Sequence, residues 1–82
     1  MRITTIEYQN EGGAYVLHKA FHGCKPYLLE DILWDAFLKS KEEKSNPYIS
    51  IEMYDEDGEY EDGDVFNSVE SAIKWWEHYF AN

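Results

Sequence analysis

The chain has 82 residues, of which 17 are Asp or Glu and 7 are Lys or Arg, so its formal net charge is −10. This length allows about one domain, and the charge argues against direct binding to nucleic acid or anionic lipid, because both depend on Lys and Arg. Disorder is also disfavoured, because 44% of the residues are hydrophobic and 17% are aromatic.

Two segments rich in β-branched and aromatic residues, 3–8 and 14–21, open the chain. Gly12 and Gly13 lie between them and can adopt the positive φ of a tight turn, so we predict a β-hairpin. Strict alternation along the second strand would place Tyr15, Leu17 and Phe21 on one face and Val16, His18 and His22 on the other.

Helical spacing follows the hairpin. Pro26 suits the first turn of a helix, and apolar residues recur three and four positions apart, which predicts one buried helical face. This face consists of Leu29, Ile32, Leu33, Ala36 and Phe37. A flanking stripe contains Tyr27, Trp34 and Leu38. The helix should end before Pro47.

The second half repeats the order of elements. Alternation over residues 48–54 predicts a third strand, with Ile49, Ile51 and Met53 on its buried face. The pairs Asp57-Gly58 and Asp62-Gly63 can each form a tight turn, and we expect a fourth strand within residues 59–61 or 65–66.

A last helix completes the chain. Asn67 or Ser68 is its expected cap, and Glu70 lies three residues after Asn67, at the spacing of a capping box. Its core face comprises Val69, Ala72, Ile73, Trp76 and Phe80. The sequence therefore predicts one α+β domain over residues 1–82, a single antiparallel sheet packed by two helices in the order β-β-α-β-β-α.

The charge is concentrated in one segment. Residues 52–64 carry eight carboxylates and no Lys or Arg, whereas the other 69 residues carry 9 acidic and 7 basic residues. The eight acids are Glu52, Asp55, Glu56, Asp57, Glu59, Glu61, Asp62 and Asp64. The protein is thus a nearly neutral domain with an acidic hairpin at about residues 52–66.

A calcium loop is one interpretation of this hairpin, because Ca²⁺ binds clustered oxygens. An EF-hand requires Asp at position 1 and Gly at position 6. With Gly58 at position 6, position 1 is Met53; with Gly63, it is Gly58, so both registers fail. A looser divalent-cation site and a solvated hairpin that maintains solubility stay open as alternatives.

Mimicry of nucleic-acid phosphates is the interpretation we favour. Asp55, Asp57, Glu59 and Glu61 alternate, so an extended strand would space their carboxylates about 6.6 Å apart on one face. A turn at Asp57-Gly58 would break that row but still cluster the charges on adjacent strands. Aromatic side chains interleave with the acids and can stack as bases do. These are Tyr54 and Tyr60.

Catalytic and metal-binding motifs are not recognisable. His18 and His22 would stand about 13 Å apart along a strand, too far for one zinc ion unless the chain bends at Gly23, and Cys24 lacks the surroundings of a catalytic nucleophile. We therefore expect no catalytic residues, no metal and no cofactor, and whether these three residues have a chemical role is left open. The single cysteine and the absence of a membrane-spanning run favour a soluble cytoplasmic protein.

Several aromatic residues fall beside the predicted core stripes, and aromatics are enriched at protein interfaces. They are Tyr27, Trp34, Trp75 and Tyr79. They either widen a small core or form a second contact or self-association surface, and a dimer is one of the oligomeric states that this allows.

In general character the chain resembles small acidic inhibitor proteins of phages and mobile elements, including anti-CRISPR and anti-restriction proteins. The resemblance rests on small size, a single domain, the acidic hairpin and the lack of catalytic motifs, and it covers no alignable stretch. It implies a non-enzymatic inhibitor whose hairpin occupies a basic, nucleic-acid-binding surface of a partner protein in the host cytoplasm. The alternative is an immunity- or antitoxin-type interaction module in which the hairpin serves only solubility.

Overall fold

The computed structural model describes residues 2–22 and 29–80, with only the backbone described at 79 and 80. These residues form one four-stranded antiparallel sheet and two helices, which confirms the predicted α+β order. The elements are β1 (Ile3–Gln9), β2 (Tyr15–His22), α1 (Leu29–Glu43), β3 (Ile49–Tyr54), β4 (Tyr60–Phe66) and α2 (Val69–Phe80).

The strands lie in the order β2-β1-β3-β4, so the first strand of each hairpin is central and the second is an edge strand. The central strands pair antiparallel, with Ile3 opposite Tyr54 and Tyr8 opposite Ile49. The turn between β1 and β2 and the turn between β3 and β4 therefore lie at opposite ends of the sheet.

Both helices pack on one side of the sheet, and the core lies between these two layers. The predicted helical stripes are confirmed at the described residues, with Ile32, Phe37 and Ile73 partly buried against the core. Fully burying one apolar side chain of this size contributes about 1.5–3 kcal/mol to the free energy of unfolding. The main buried side chains are Ile6, Leu29, Leu33, Ala36, Ile49, Ile51, Met53, Phe66, Val69, Ala72 and Trp76.

The other side of the sheet is not covered by either helix, and we call it the open face. Because paired residues in neighbouring strands share a face, the pairing of Glu7 with Ser50, of Thr5 with Glu52 and of Glu52 with Gly63 identifies its residues. The open face comprises Ile3, Thr5, Glu7, Gln9, Tyr15, Leu17, Ala20, His22, Ser50, Glu52, Tyr54, Tyr60, Gly63 and Val65.

A β-bulge corrects the predicted faces of β2. Ile6 pairs with Lys19 and Glu7 pairs with Leu17, so His18 is an extra residue in β2. An extra residue reverses the alternation beyond it. Phe21 consequently faces the helices, where its ring lies 6.1 Å from that of Trp76, and His18 and His22 do not share a face.

The two Asp-Gly pairs have different structures. Asp57-Gly58 lies in the turn between β3 and β4, where Gly58 has a φ of 81°, whereas Asp62-Gly63 lies within β4. The fourth strand begins at Tyr60 and includes residues of both short ranges predicted for it, whereas Glu59 lies outside the strand.

A single serine caps α2. Ser68 precedes the helix, and its hydroxyl accepts a hydrogen bond from the Ser71 amide at 3.2 Å. Ser68 and not Asn67 is therefore the cap. Neither helix in the described part of the chain is long and apolar enough to cross a membrane.

Candidate protein-binding surface

The turn of the acidic hairpin is held together by Asp55. Its carboxylate accepts hydrogen bonds from the amides of Asp57 and Glu59, both at 2.9 Å. Its own amide donates to the Glu59 carbonyl, and its carbonyl accepts from the Gly58 amide. Asp55 thus acts as a structural residue of the turn, in the way Asp commonly stabilises turns.

Three exposed acids project from this turn, and we call Glu56, Asp57 and Glu59 the acidic tip. The tip lies at the end of the sheet remote from the β1–β2 turn. No Lys or Arg occurs between residues 52 and 64, and one basic residue, Arg2, lines a shallow groove with Asp55, Glu56 and Glu61. The turn thus concentrates negative charge in a defined conformation, with Arg2 beside it.

Two further acids of the segment protect the edge of the sheet. Asp62 accepts a hydrogen bond from the Gly63 amide and Asp64 from the Val65 amide, each at 2.8 Å. An edge strand otherwise offers such amides to a strand from another molecule. Since Asp62 pairs with Met53 and Asp64 with Ile51, both lie on the helix-facing side of β4.

Glu61 lies at a second bulge, because Met53 pairs with Asp62 and Tyr54 with Tyr60. Its carboxylate forms an ion pair with Arg2 at 2.8 Å. This ion pair attaches β4 to the residue before β1. The four-residue alternating row is therefore absent, because a turn separates Asp55 from Glu59 and a bulge redirects Glu61.

On the open face, Glu52 lies beside Glu7 of the neighbouring strand, with their carboxyl groups in hydrogen-bonding reach. The Ser50 hydroxyl donates to Glu7 at 3.2 Å, and the Tyr54 hydroxyl donates to Glu52 at 3.1 Å. Burial raises the pKa of Glu7, and the hydrogen bond and charge of Glu52 raise it further, against the opposing effect of Ser50. Like charges are thus forced together on a sheet surface.

Two tyrosines border this carboxyl pair. The rings of Tyr54 and Tyr60 meet edge to face, with centroids 6.0 Å apart. Tyr60 extends over Gly63, where an added Cβ would lie 3.0 Å from the Tyr60 hydroxyl oxygen and 2.6 Å from the Ile51 carbonyl oxygen. Glycine at position 63 therefore makes room for the Tyr60 side chain. We call Glu7, Ser50, Glu52, Tyr54 and Tyr60 the carboxyl–tyrosine cluster.

The sequence-predicted binding residues thus occupy separate places. Asp55 and the acidic tip lie at one end of the sheet, Asp62 and Asp64 on the helix-facing side of the edge strand, and Glu52, Tyr54 and Tyr60 on the open face. Sequence reasoning missed Glu7. Its place between Ile6 and Tyr8 indicated the polar face of β1. The sequence did not predict that β1 pairs with β3, which is what brings Glu7 beside Glu52.

The expected aromatic surface is divided as well. Trp34 is 40% exposed and Leu38 49% exposed on the outer side of α1, whereas Trp75 is half-buried with its ring 5.8 Å from that of Phe66. Tyr27 and the side chain of Tyr79 lie outside the described residues.

A shallow groove of about 310 Å³ separates the bulge in β2 from α1 and is lined by His18, Asp35, Leu38, Lys39 and Glu42. Burial lowers the pKa of His18, and the charge of Lys39 lowers it further while Asp35 opposes this. Cys24 lies outside the described residues. Among those described, no three His, Cys, Asp or Glu side chains are grouped to hold a metal ion.

No protein-family model matches the chain, and comparison with curated proteins and with solved structures also gave no match.

Proposed function

We propose that this protein is a non-enzymatic inhibitor whose acidic hairpin occupies a basic, nucleic-acid-binding surface of a partner protein, as in many anti-CRISPR and anti-restriction proteins. The observation that carries this proposal is the acidic tip, with three exposed acids on a turn fixed by Asp55. A fixed turn loses little conformational entropy on binding. Its localised charge also steers association with a basic groove.

The test is affinity capture at low and high salt, with the recovered proteins identified by mass spectrometry. The variant reverses only the acidic tip, through Glu56→Lys, Asp57→Lys and Glu59→Lys, and keeps Asp55 so that the turn persists. The matched control applies the same change of charge to three exposed acids away from the hairpin, through Glu11→Lys, Glu42→Lys and Glu77→Lys.

We expect the parent and the control to capture the same basic partner at low salt and to release it at high salt. Tip reversal should slow association with that partner by roughly 10- to 1,000-fold, the range that electrostatic steering covers. An oligonucleotide ligand of the partner should compete with the parent. Equal capture by the parent and the tip variant would contradict the proposal.

A second candidate function is an immunity- or antitoxin-type module that recognises its partner by shape through α1. The exposure of Trp34 and Leu38 favours this candidate. Trp34→Ala distinguishes the two candidates in the same capture experiment. If this substitution weakens capture more than tip reversal does, the helix surface and not the hairpin is the binding site.

A further inference from the structure

Large apolar side chains are unusually exposed on the open face. Leu17 and Tyr60 are each 57% exposed and Val65 is 48% exposed. Leu17 lies on β2, and Tyr60 and Val65 lie on β4, so the three residues occupy the two edge strands of one uncovered sheet surface. Apolar groups exposed together on a face commonly mark an interaction surface. The open face is therefore a second candidate for partner contact, distinct from the acidic tip.

Its charge identifies the kind of occupant. The strand residues of this face include Glu7 and Glu52 but no Lys or Arg. Lys44, which follows α1, donates to the Gln9 side chain at the end of β1. The two carboxyl groups are held side by side, so Glu52 disfavours the charged form of Glu7, and a cation placed between them would relieve that repulsion. A second copy of the chain is a poor occupant, because each copy carries a net charge of −10.

The surrounding side chains favour a planar cation. Tyr60 presents an exposed ring next to the carboxyl pair, and its edge-to-face contact with Tyr54 fixes that ring's position. A guanidinium can donate two parallel hydrogen bonds to carboxylates and stack on an aromatic ring, whereas an ammonium acts as a point charge.

We propose that the open face docks a basic protein partner by taking an arginine side chain into the carboxyl–tyrosine cluster, with Leu17 and Val65 as apolar contacts beside it. This rests on the proposed function in one respect, that the partner is a basic protein. The tip attracts that partner, and the open face holds it.

The first test uses a defined probe, the peptide acetyl-Gly-Arg-Gly-Arg-Gly-amide, titrated into the isotope-labelled full chain and followed by NMR. Two matched peptides replace arginine by citrulline, which is neutral and nearly isosteric, or by lysine. We expect the arginine peptide to shift the Glu7 carboxyl and the Tyr54 and Tyr60 ring resonances. Citrulline should abolish these shifts, and lysine should weaken binding.

Two protein variants complete the test. Glu7→Gln with Glu52→Gln should weaken arginine-peptide binding by at least about tenfold, the loss expected for hydrogen bonds to a charged group. A thermal melt should show this variant to be at least as stable as the parent. Tyr60→Leu keeps an apolar side chain but removes the ring. It should weaken binding of the arginine peptide, but less than the double glutamine substitution does.

The tip-reversed variant separates the two proposals. If it still shows the open-face shifts but captures no partner, both proposals stand. Shifts confined to the acidic tip, or equal binding by the glutamine variant, would overturn the open-face proposal while leaving the inhibitor proposal intact. If the tip-reversed variant binds the peptide on the open face and also captures the partner as well as the parent does, only the inhibitor proposal is overturned.

Discussion

The carboxyl group of Glu7 is held in place by a hydrogen bond, but its surroundings disfavour its negative charge. Its hydrogen bond with Ser50 holds the side chain, while burial and the neighbouring Glu52 disfavour its charged form. A raised folded-state pKa means that the unfolded chain binds fewer protons than the folded chain. This carboxyl therefore lowers the free energy of unfolding as pH rises above its ordinary value of 4.5.

Glu7→Gln should accordingly stabilise the fold at neutral pH. The amide keeps an acceptor for Ser50 and removes the repulsion from Glu52, a cross-strand effect of roughly 0.5 kcal/mol, or about 2–4 °C in Tm. The gain should shrink to nothing as pH falls below about 4.5, where the parent carboxyl is protonated in both states. Thermal melts over this pH range measure it, with exposed Glu42→Gln as the control for net charge. A gain that persists at acid pH would point to another cause.

At the scale of elements, Ser40 connects three of them. It is completely buried in α1, its hydroxyl donates to the Gln9 carbonyl at the end of β1 at 2.7 Å, and it accepts from the Tyr48 amide just before β3 at 3.1 Å. One hydroxyl thus satisfies two backbone groups where the central strands meet the helix.

Ser40→Ala should destabilise the fold by about 1–3 kcal/mol, because it leaves the partly buried Gln9 carbonyl and Tyr48 amide without this partner. Denaturant unfolding measures the change, with an unchanged m-value expected if the fold persists. Ser45→Ala, at an exposed position, is the matched control and should be nearly neutral. A loss below about 0.5 kcal/mol would mean that water replaces the hydroxyl.

The sequence predicted those elements whose signals are local. The helical stripe from Leu29 to Phe37 and the alternation of Ile49, Ile51 and Met53 follow from periodicity, which burial on one side imposes. The bulges at His18 and Glu61 were not predictable, because a bulge depends on the pairing of two strands. Asp62-Gly63 could equally form a turn or lie within a strand, because the role of Gly63 depends on its close approach to the Ile51 carbonyl in the neighbouring strand. For the candidate site, the sequence supplied the acids but not their distribution over three surfaces.

At the scale of the whole molecule, charge and apolar surface are arranged unevenly. The acidic tip lies at one end of a sheet whose open face is partly apolar, and both helices cover the opposite side. A net charge of −10 on 82 residues opposes compaction through self-repulsion. Salt screens that repulsion over distances of about 10 Å at 0.1 M.

Adding NaCl should therefore raise the Tm of the parent. We expect an increase of roughly 4–8 °C between low salt and 0.5 M, equivalent to about 1 kcal/mol for a chain of this size. Each of the three tip reversals adds two units of charge, so the variant carries −4 and should respond less. Calorimetry compares the two proteins, and the Glu11, Glu42 and Glu77 reversal controls for total charge. If the Tm of the tip variant no longer rises with NaCl while that of the equally charged control still does, the repulsion is local to the hairpin.

The close approach at Gly63 has a consequence for sequence divergence. Any side chain there would meet the Ile51 carbonyl and the Tyr60 hydroxyl, so this glycine and Tyr60 should be inherited together. The exposed acids of the tip make no such demand and can exchange Asp for Glu, or shift position, without disturbing the strands. A relative of this protein should therefore be recognisable by the paired tyrosine and glycine in its fourth strand, even where its acidic residues have drifted.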